Sequence, residues 1–179
     1  MSAPLTPSQT VGPFFGVGLP FEKGEQVVAP GSAGSIRIEG QVLDGNGDPV
    51  TGALLEIWQP DAQGHYRHAA QNSATGFGRT RTDSEGAFSF LTTKPGATPT
   101  PDGRPQAPHC NVTIFARGLL RHLVTRMYFP DERKANETDP VLNLVEPSRR
   151  DTLVARDAGG VLRFDIRLQG EPETVFFAI

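Results

Sequence analysis

Cysteine is nearly absent. Cys110 is the single one in 179 residues, which excludes an internal disulfide and a thiolate metal cluster. It opens a strand-like run, so it reads as a buried structural thiol rather than a nucleophile. Charge of one sign is also lacking: a net charge of -3 leaves no basic footprint for nucleic acid or for a membrane surface. No apolar stretch approaches the ~18 residues of a membrane span. The first residues, MSAPLTPSQT, have neither the charged nor the apolar region of a secretory signal, so the cytoplasm is the expected location. Internal repeats and low-complexity segments are missing. So are the G-x-S-x-G elbow and the paired-histidine spacings H-x-H and H-E-x-x-H. Gly76-Phe-Gly78 is too short for a phosphate loop, and no strand–helix context follows it. Hydrolase and nucleotide readings fall with these motifs.

Turn chemistry is plentiful instead. With Gly 20, Pro 16 and 37% hydrophobic residues, the chain suits one domain with a sizeable core and a large share of loop. From Ser35 onward the pattern is that of strands. Ile36, Ile38 and Val42 alternate with polar residues, and a dense turn signal runs from Asp44 to Pro49. Ala53–Trp58, Ala87–Leu91, Asn111–Ala116 and Leu123–Phe129 are further strand runs, with turns at 60–64, 82–86 and 118–121. Residues 94–108 hold five prolines, a composition that predicts neither strand nor helix. The polar stretch Asp131–Glu137 suits one short helical turn. Val161–Leu168 alternates cleanly: Arg163, Asp165 and Arg167 fall on a wet face, and Leu162, Phe164, Ile166 and Leu168 on a dry one. Roughly six or seven strands, with no long helix, make an all-β, antiparallel β-sandwich over residues 35–179. Residues 1–34 form an extended N-terminal arm. Its Phe14, Phe15 and Phe21 must pack on something, either the arm's own domain or a surface across a subunit boundary.

Few side chains suggest chemistry on their own. His65 and His68 read as a surface pair more readily than as ligands. His109 suits a hydrogen-bonded structural role or a ligand role. Tyr66 is a loop-edge aromatic unless its phenol, ordinarily near pKa ~10, is tuned for ferric iron. Arg126 interrupts an apolar strand on the face shared by Val124 and Tyr128. It is either a snorkelling or ion-paired arginine or a guanidinium that grips a carboxylate at a cleft or subunit boundary.

Six segments in order carry a resemblance: Thr10-Val-Gly-Pro-Phe-Phe15, Gly52-Ala-Leu-Leu-Glu-Ile-Trp-Gln59, Gly64-His-Tyr-Arg-His68, Gly76-Phe-Gly-Arg-Thr-Arg-Thr-Asp83, Thr93-Lys-Pro-Gly96 and Thr125-Arg-Met-Tyr-Phe129. Together they resemble the intradiol ring-cleavage dioxygenases, from about residue 6 to the end. The resemblance implies the prealbumin-like sandwich of that family and a reaction in which Fe(III) makes a bound catechol reactive toward O2. It also implies the family's ligand positions: Tyr66 for the first tyrosine, Thr98 where K-P-G-x-Y has its tyrosine, and His109 and Asn111 where H-x-H stands. The family's catalytic arginine falls on Gln106. Threonine and asparagine do not replace tyrosinate and imidazole as donors, so this chain is expected to bind no iron. The resemblance then implies the metal-free subunit of a two-chain enzyme acting on a small aromatic substrate and O2. A homologous beta subunit holds the Fe(III), and pairs of the two subunits assemble further. Gly12, Pro13 and Arg126 are the expected wall of the substrate pocket, with Arg126 near a ring carboxylate. Two other readings stay open: a non-enzymatic β-sandwich carrier or structural module, and a self-sufficient enzyme that binds a metal through Tyr66, His109 and unusual substitutes.

Overall fold

Alternating apolar and polar residues put one face of each strand into a shared core. The computed structural model describes residues 7–12, 14–67 and 76–178. Its strands are β1 (Ser35–Leu43), β2 (Leu54–Trp58), β3 (Phe77–Arg81), β4 (Ala87–Thr93), β5 (Thr98–Pro99), β6 (Pro105–Gln106), β7 (His109–Phe115), β8 (Leu123–Tyr128), β9 (Arg156–Asp157), β10 (Val161–Arg163) and β11 (Ile166–Arg167). One sheet is antiparallel in the order β3-β2-β7-β8. The other is centred on β1, with β4 antiparallel on one side and β10 and β11 on the other. Ile38, Val42, Phe88, Phe90, Phe164 and Ile166 from this sheet meet Leu55, Ile57, Cys110, Val112, Ile114 and Met127 from the first. The architecture is the expected β-sandwich.

One seam departs from the antiparallel pattern. β10 and β11 run parallel to β1 in a single register, Arg37 facing Val161 and Val42 facing Ile166. Alternation fixes which face of a strand is buried but says nothing about the direction of its partner. The expected dry face holds, since Phe164 and Ile166 are buried. The ladder breaks at Gly40, where a Cβ would strike the Phe164 carbonyl oxygen and the Phe88 ring. There the Gln41 N–H donates to the Asp165 carboxylate at 3.1 Å, a side chain standing in for a ladder carbonyl.

The 94–108 loop departs as well. It closes on itself through the β5–β6 ladder, pairing Thr98 with Gln106 and Pro99 with Pro105. Strand β3 gives no apolar alternation because its inward position is Gly78, where a Cβ would crowd Val27, Ile57 and Phe90. The short helix expected after Asp131 is α2 (Arg133–Thr138), numbered after α1 (Phe15–Gly18) in the arm. Two 3-10 segments follow, Leu142–Leu144 and Pro147–Leu153. No helix among the described residues is long and apolar enough to cross a membrane.

Cys110 is the buried thiol expected. Burial pushes its pKa up to about 12, and its Sγ lies 3.2 Å from Gln59 Oε1. Gln59, buried between the sheets, also accepts from Thr92 Oγ1 at 3.0 Å and donates to the Thr93 carbonyl at 2.7 Å.

The arm divides its apolar residues. Phe15 is buried, while Phe14 and Val17 are 81% and 78% exposed. Its backbone is held from β3: Arg81 Nη1 donates to the Gly16 carbonyl at 2.8 Å, and Arg79 Nη1 to that of Leu19 at 2.7 Å.

Candidate functional site

The inward turn of Cys110 and Val112 sends His109 and Asn111 to the outer face of the antiparallel sheet. Register sets their neighbours: His109 faces Tyr128, and Asn111 lies between Trp58 and Arg126. Two loops close over this end of the sheet. They approach tightly at Gly64, where a Cβ would strike the Ala97 carbonyl, and at Gly96, where it would crowd that of Ala62. Gly64 has φ +82°, and so two features at that position call for glycine. The Gly96 N–H donates to the Asp61 carbonyl at 2.9 Å. This contact brings Tyr66 and the Thr98–Gln106 ladder to the same place as His109 and Asn111.

Tyr66 stacks on Trp58, with ring centroids 5.6 Å apart and 19° between planes. Its Oη accepts from Asn111 Nδ2 at 3.0 Å. Burial raises the phenol's pKa above its ordinary value, against the opposing effects of the Asn111 hydrogen bond and the Arg126 charge. The phenol is therefore neutral near pH 7. His109 is buried, and its Nδ1 lies 2.8 Å from the Ala107 carbonyl, which fixes the proton on Nδ1 in the neutral ring. Burial first, and the Arg126 charge second, lower its pKa to about 4.

Arg126 Nη1 donates to Gln106 Oε1 at 2.8 Å and lies 3.4 Å from Tyr128 Oη. Tyr128 Oη donates to Asp139 Oδ1 at 3.0 Å. The Asp139 carboxylate also accepts from the backbone N–H groups of Ala107, Val141 and Leu142 at 2.8, 2.9 and 2.7 Å. One buried acid thus holds the floor of the cluster together.

The four positions implied by the resemblance, Tyr66, Thr98, His109 and Asn111, therefore converge, and Gln106 joins them. Arg126 stands inside the same cluster. The arm is fastened elsewhere: Ser8 Oγ accepts from Arg121 Nε at 2.8 Å and Gly16 meets Arg81. Arg81 is four residues along β3 from Phe77, which marks the Trp58–Asn111 row, or about 13 Å along the strand. Gly12 lies in the arm between these two fastenings. Pro13 and His68 lie outside the described residues. His65 has a side chain 78% exposed and sits 3.9 Å from the Asp61 carboxylate, in keeping with a surface residue. Trp58, Tyr128 and Asp139 were missed as site residues. The turn-forming dipeptide Asp139-Pro140 was the one available signal for the last.

Known proteins match the chain along nearly its whole length. A family model described as Dioxygenase matches residues 11–170. The protocatechuate 3,4-dioxygenase alpha chain of Pseudomonas putida is 46% identical over 97% of this chain and 96% of its own length. The protocatechuate 3,4-dioxygenase beta chain of Burkholderia cepacia is 37% identical over 78% of this chain and 66% of that one. Among solved structures, the dioxygenase domain of a dioxygenase carbohydrate-binding protein fusion from Streptomyces sp. SirexAA-E superposes with a TM-score of 0.64. It is 30% identical over 92% of this chain and 98% of that one. The chain belongs to the intradiol ring-cleavage dioxygenase family. Within that family it matches alpha chains of protocatechuate 3,4-dioxygenase strongly.

The residues present do not fit the family's ferric iron. At the four positions the resemblance assigns to ligands, one phenol and one imidazole, Tyr66 and His109, stand beside a threonine and an amide, Thr98 and Asn111. The phenol that remains is a neutral acceptor for an amide N–H, and a guanidinium stands among the would-be ligands.

Proposed function

We propose that this chain is the alpha subunit of a protocatechuate 3,4-dioxygenase. In that enzyme, protocatechuate is opened between its hydroxylated carbons with O2, to give 3-carboxy-cis,cis-muconate. The observation that carries the reading is the pocket in which Thr98 and Asn111, at the positions the resemblance assigns to ligands, lie with Tyr66, His109 and Arg126. This is the pocket of a chain that keeps the fold without the metal chemistry.

A homologous beta subunit then holds the Fe(III), and this chain supplies shape around the substrate. Two observations support such a partner. The chain is itself similar to a beta chain, and like folds associate readily through related surfaces. The arm is pinned by its backbone while Phe14 and Val17 face outward, as an arm at a subunit boundary would be. Gly12 and Pro13 of that arm border the partner's substrate pocket. Arg126, engaged with Gln106, serves this chain's own pocket. The pairs assemble further and act in the cytoplasm.

The test is protocatechuate-dependent O2 uptake by this chain, by its partner and by the two together. Uptake by the pair that greatly exceeds the sum of the separate chains supports the reading. A partner equally active alone, or an inactive mixture, leaves the non-enzymatic module.

A further inference from the structure

Among the described residues, Arg126 makes no direct contact with an acid. Its side chain meets neutral groups, Gln106 Oε1 and Tyr128 Oη. The acid of the same network, Asp139, is already engaged by Tyr128 and three backbone N–H groups. The guanidinium is bounded by the family's ligand positions or their direct partners. Asn111 faces it across the β7–β8 ladder. Gln106, which it grips, faces Thr98 across the hairpin. Tyr128 lies against the His109 ring at 5.7 Å, and Asn111 reaches Tyr66.

We infer that Arg126 is the resident cation of this pocket and bars a metal ion from it, so that restoring the two missing ligands alone does not recreate an iron site. The inference rests on the assignment of Tyr66, Thr98, His109 and Asn111 as ligand positions. The guanidinium brings a fixed positive charge into the pocket. A ferric ion entering beside it meets a like charge in a half-buried, weakly screening site. It also competes for the same electron-rich atoms. Loss of the ligands and gain of the arginine are thus two separate locks on one site.

The experiment compares iron content and tyrosinate-to-iron visible absorption in three forms of the full chain produced in iron-rich medium. They are the wild type, the double variant Thr98→Tyr with Asn111→His, and that double variant with Arg126→Gln added. Wild type and double variant are expected to carry traces of iron, and the triple variant close to one iron per chain with a visible band. Adding Arg126→Lys in place of Arg126→Gln keeps the charge and is expected to leave the site empty. A double variant that loads as fully as the triple, or a triple variant that stays empty, overturns the inference while the wild type's lack of iron leaves the proposed function standing. Iron in the wild type overturns both.

Thr98 is buried, so a tyrosine there can disrupt the hairpin. A second pair of variants avoids that position: Asn111→His with and without Arg126→Gln, titrated with Co(II) and followed by its d–d absorption. Removal of Arg126 is expected to tighten Co(II) binding by about tenfold or more, the equivalent of ~1.4 kcal/mol. Equal affinities contradict the inference.

Discussion

His109 shows how one residue records the history of its pocket. Its imidazole is buried against Tyr128 and held on the Ala107 carbonyl, so in the folded chain it is neutral down to about pH 4. In the unfolded chain it protonates near its ordinary value of ~6.5. Between those two values the unfolded state binds more protons, so stability falls as pH falls from ~6.5 to ~4 and levels below. The loss amounts to about 3 kcal/mol. Replacing His109 with glutamine, which can still donate to the Ala107 carbonyl, is expected to flatten this slope in denaturant titrations run at several pH values. An unchanged slope places the proton elsewhere. Read from sequence alone, the same residue was a structural histidine or a ligand, and nothing in its neighbours chose between them. Its setting comes from register. The contact of Arg126 with Gln106 spans twenty positions of sequence and depends on how β8 pairs with β7, which no local pattern encodes. Ligand positions 98 and 111 could be read only through the ordered likeness to a family, because a threonine and an asparagine advertise nothing.

At the scale of the element, strands with an apolar face were legible and strands without one were not. β1, β2, β4, β7 and β8 each bury alternating side chains, and each lies close to where the alternation predicts. β3 escaped because Gly78 takes its inward position, and the two-residue ladders are too short to carry a period. The parallel seam beside β1 escaped for a different reason, since its pairing direction follows from the path of the chain after β8. Gly40 is the position on which that seam depends, because Phe164 and Phe88 already fill the space a side chain would need. Gly40→Ala is expected to cost about 3 kcal/mol or more, read as a lower midpoint in chemical denaturation with the slope retained. A cost below ~1 kcal/mol would mean that β10 and β11 can shift away from β1 without penalty. The arm belongs to this scale as well. Sequence showed that its phenylalanines need a partner; the structure divides them, with Phe15 turned inward and Phe14 outward.

The whole molecule is a catalytic fold with its catalytic centre refilled. The sandwich and the loops that meet at Gly64 and Gly96 are those of an enzyme family, and the place where a metal belongs holds a threonine, an amide and an arginine. Two consequences follow for assembly. On the proposed function, catalysis is supplied by another chain, and the surface proposed for that partner includes an arm whose backbone is fixed from within. The most direct measurement is the iron content of the full-length chain produced and purified without its partner. The account predicts traces of iron and no tyrosinate-to-iron absorption band. One iron per chain, with that band, would show that Tyr66 and His109 recruit other donors and would contradict it.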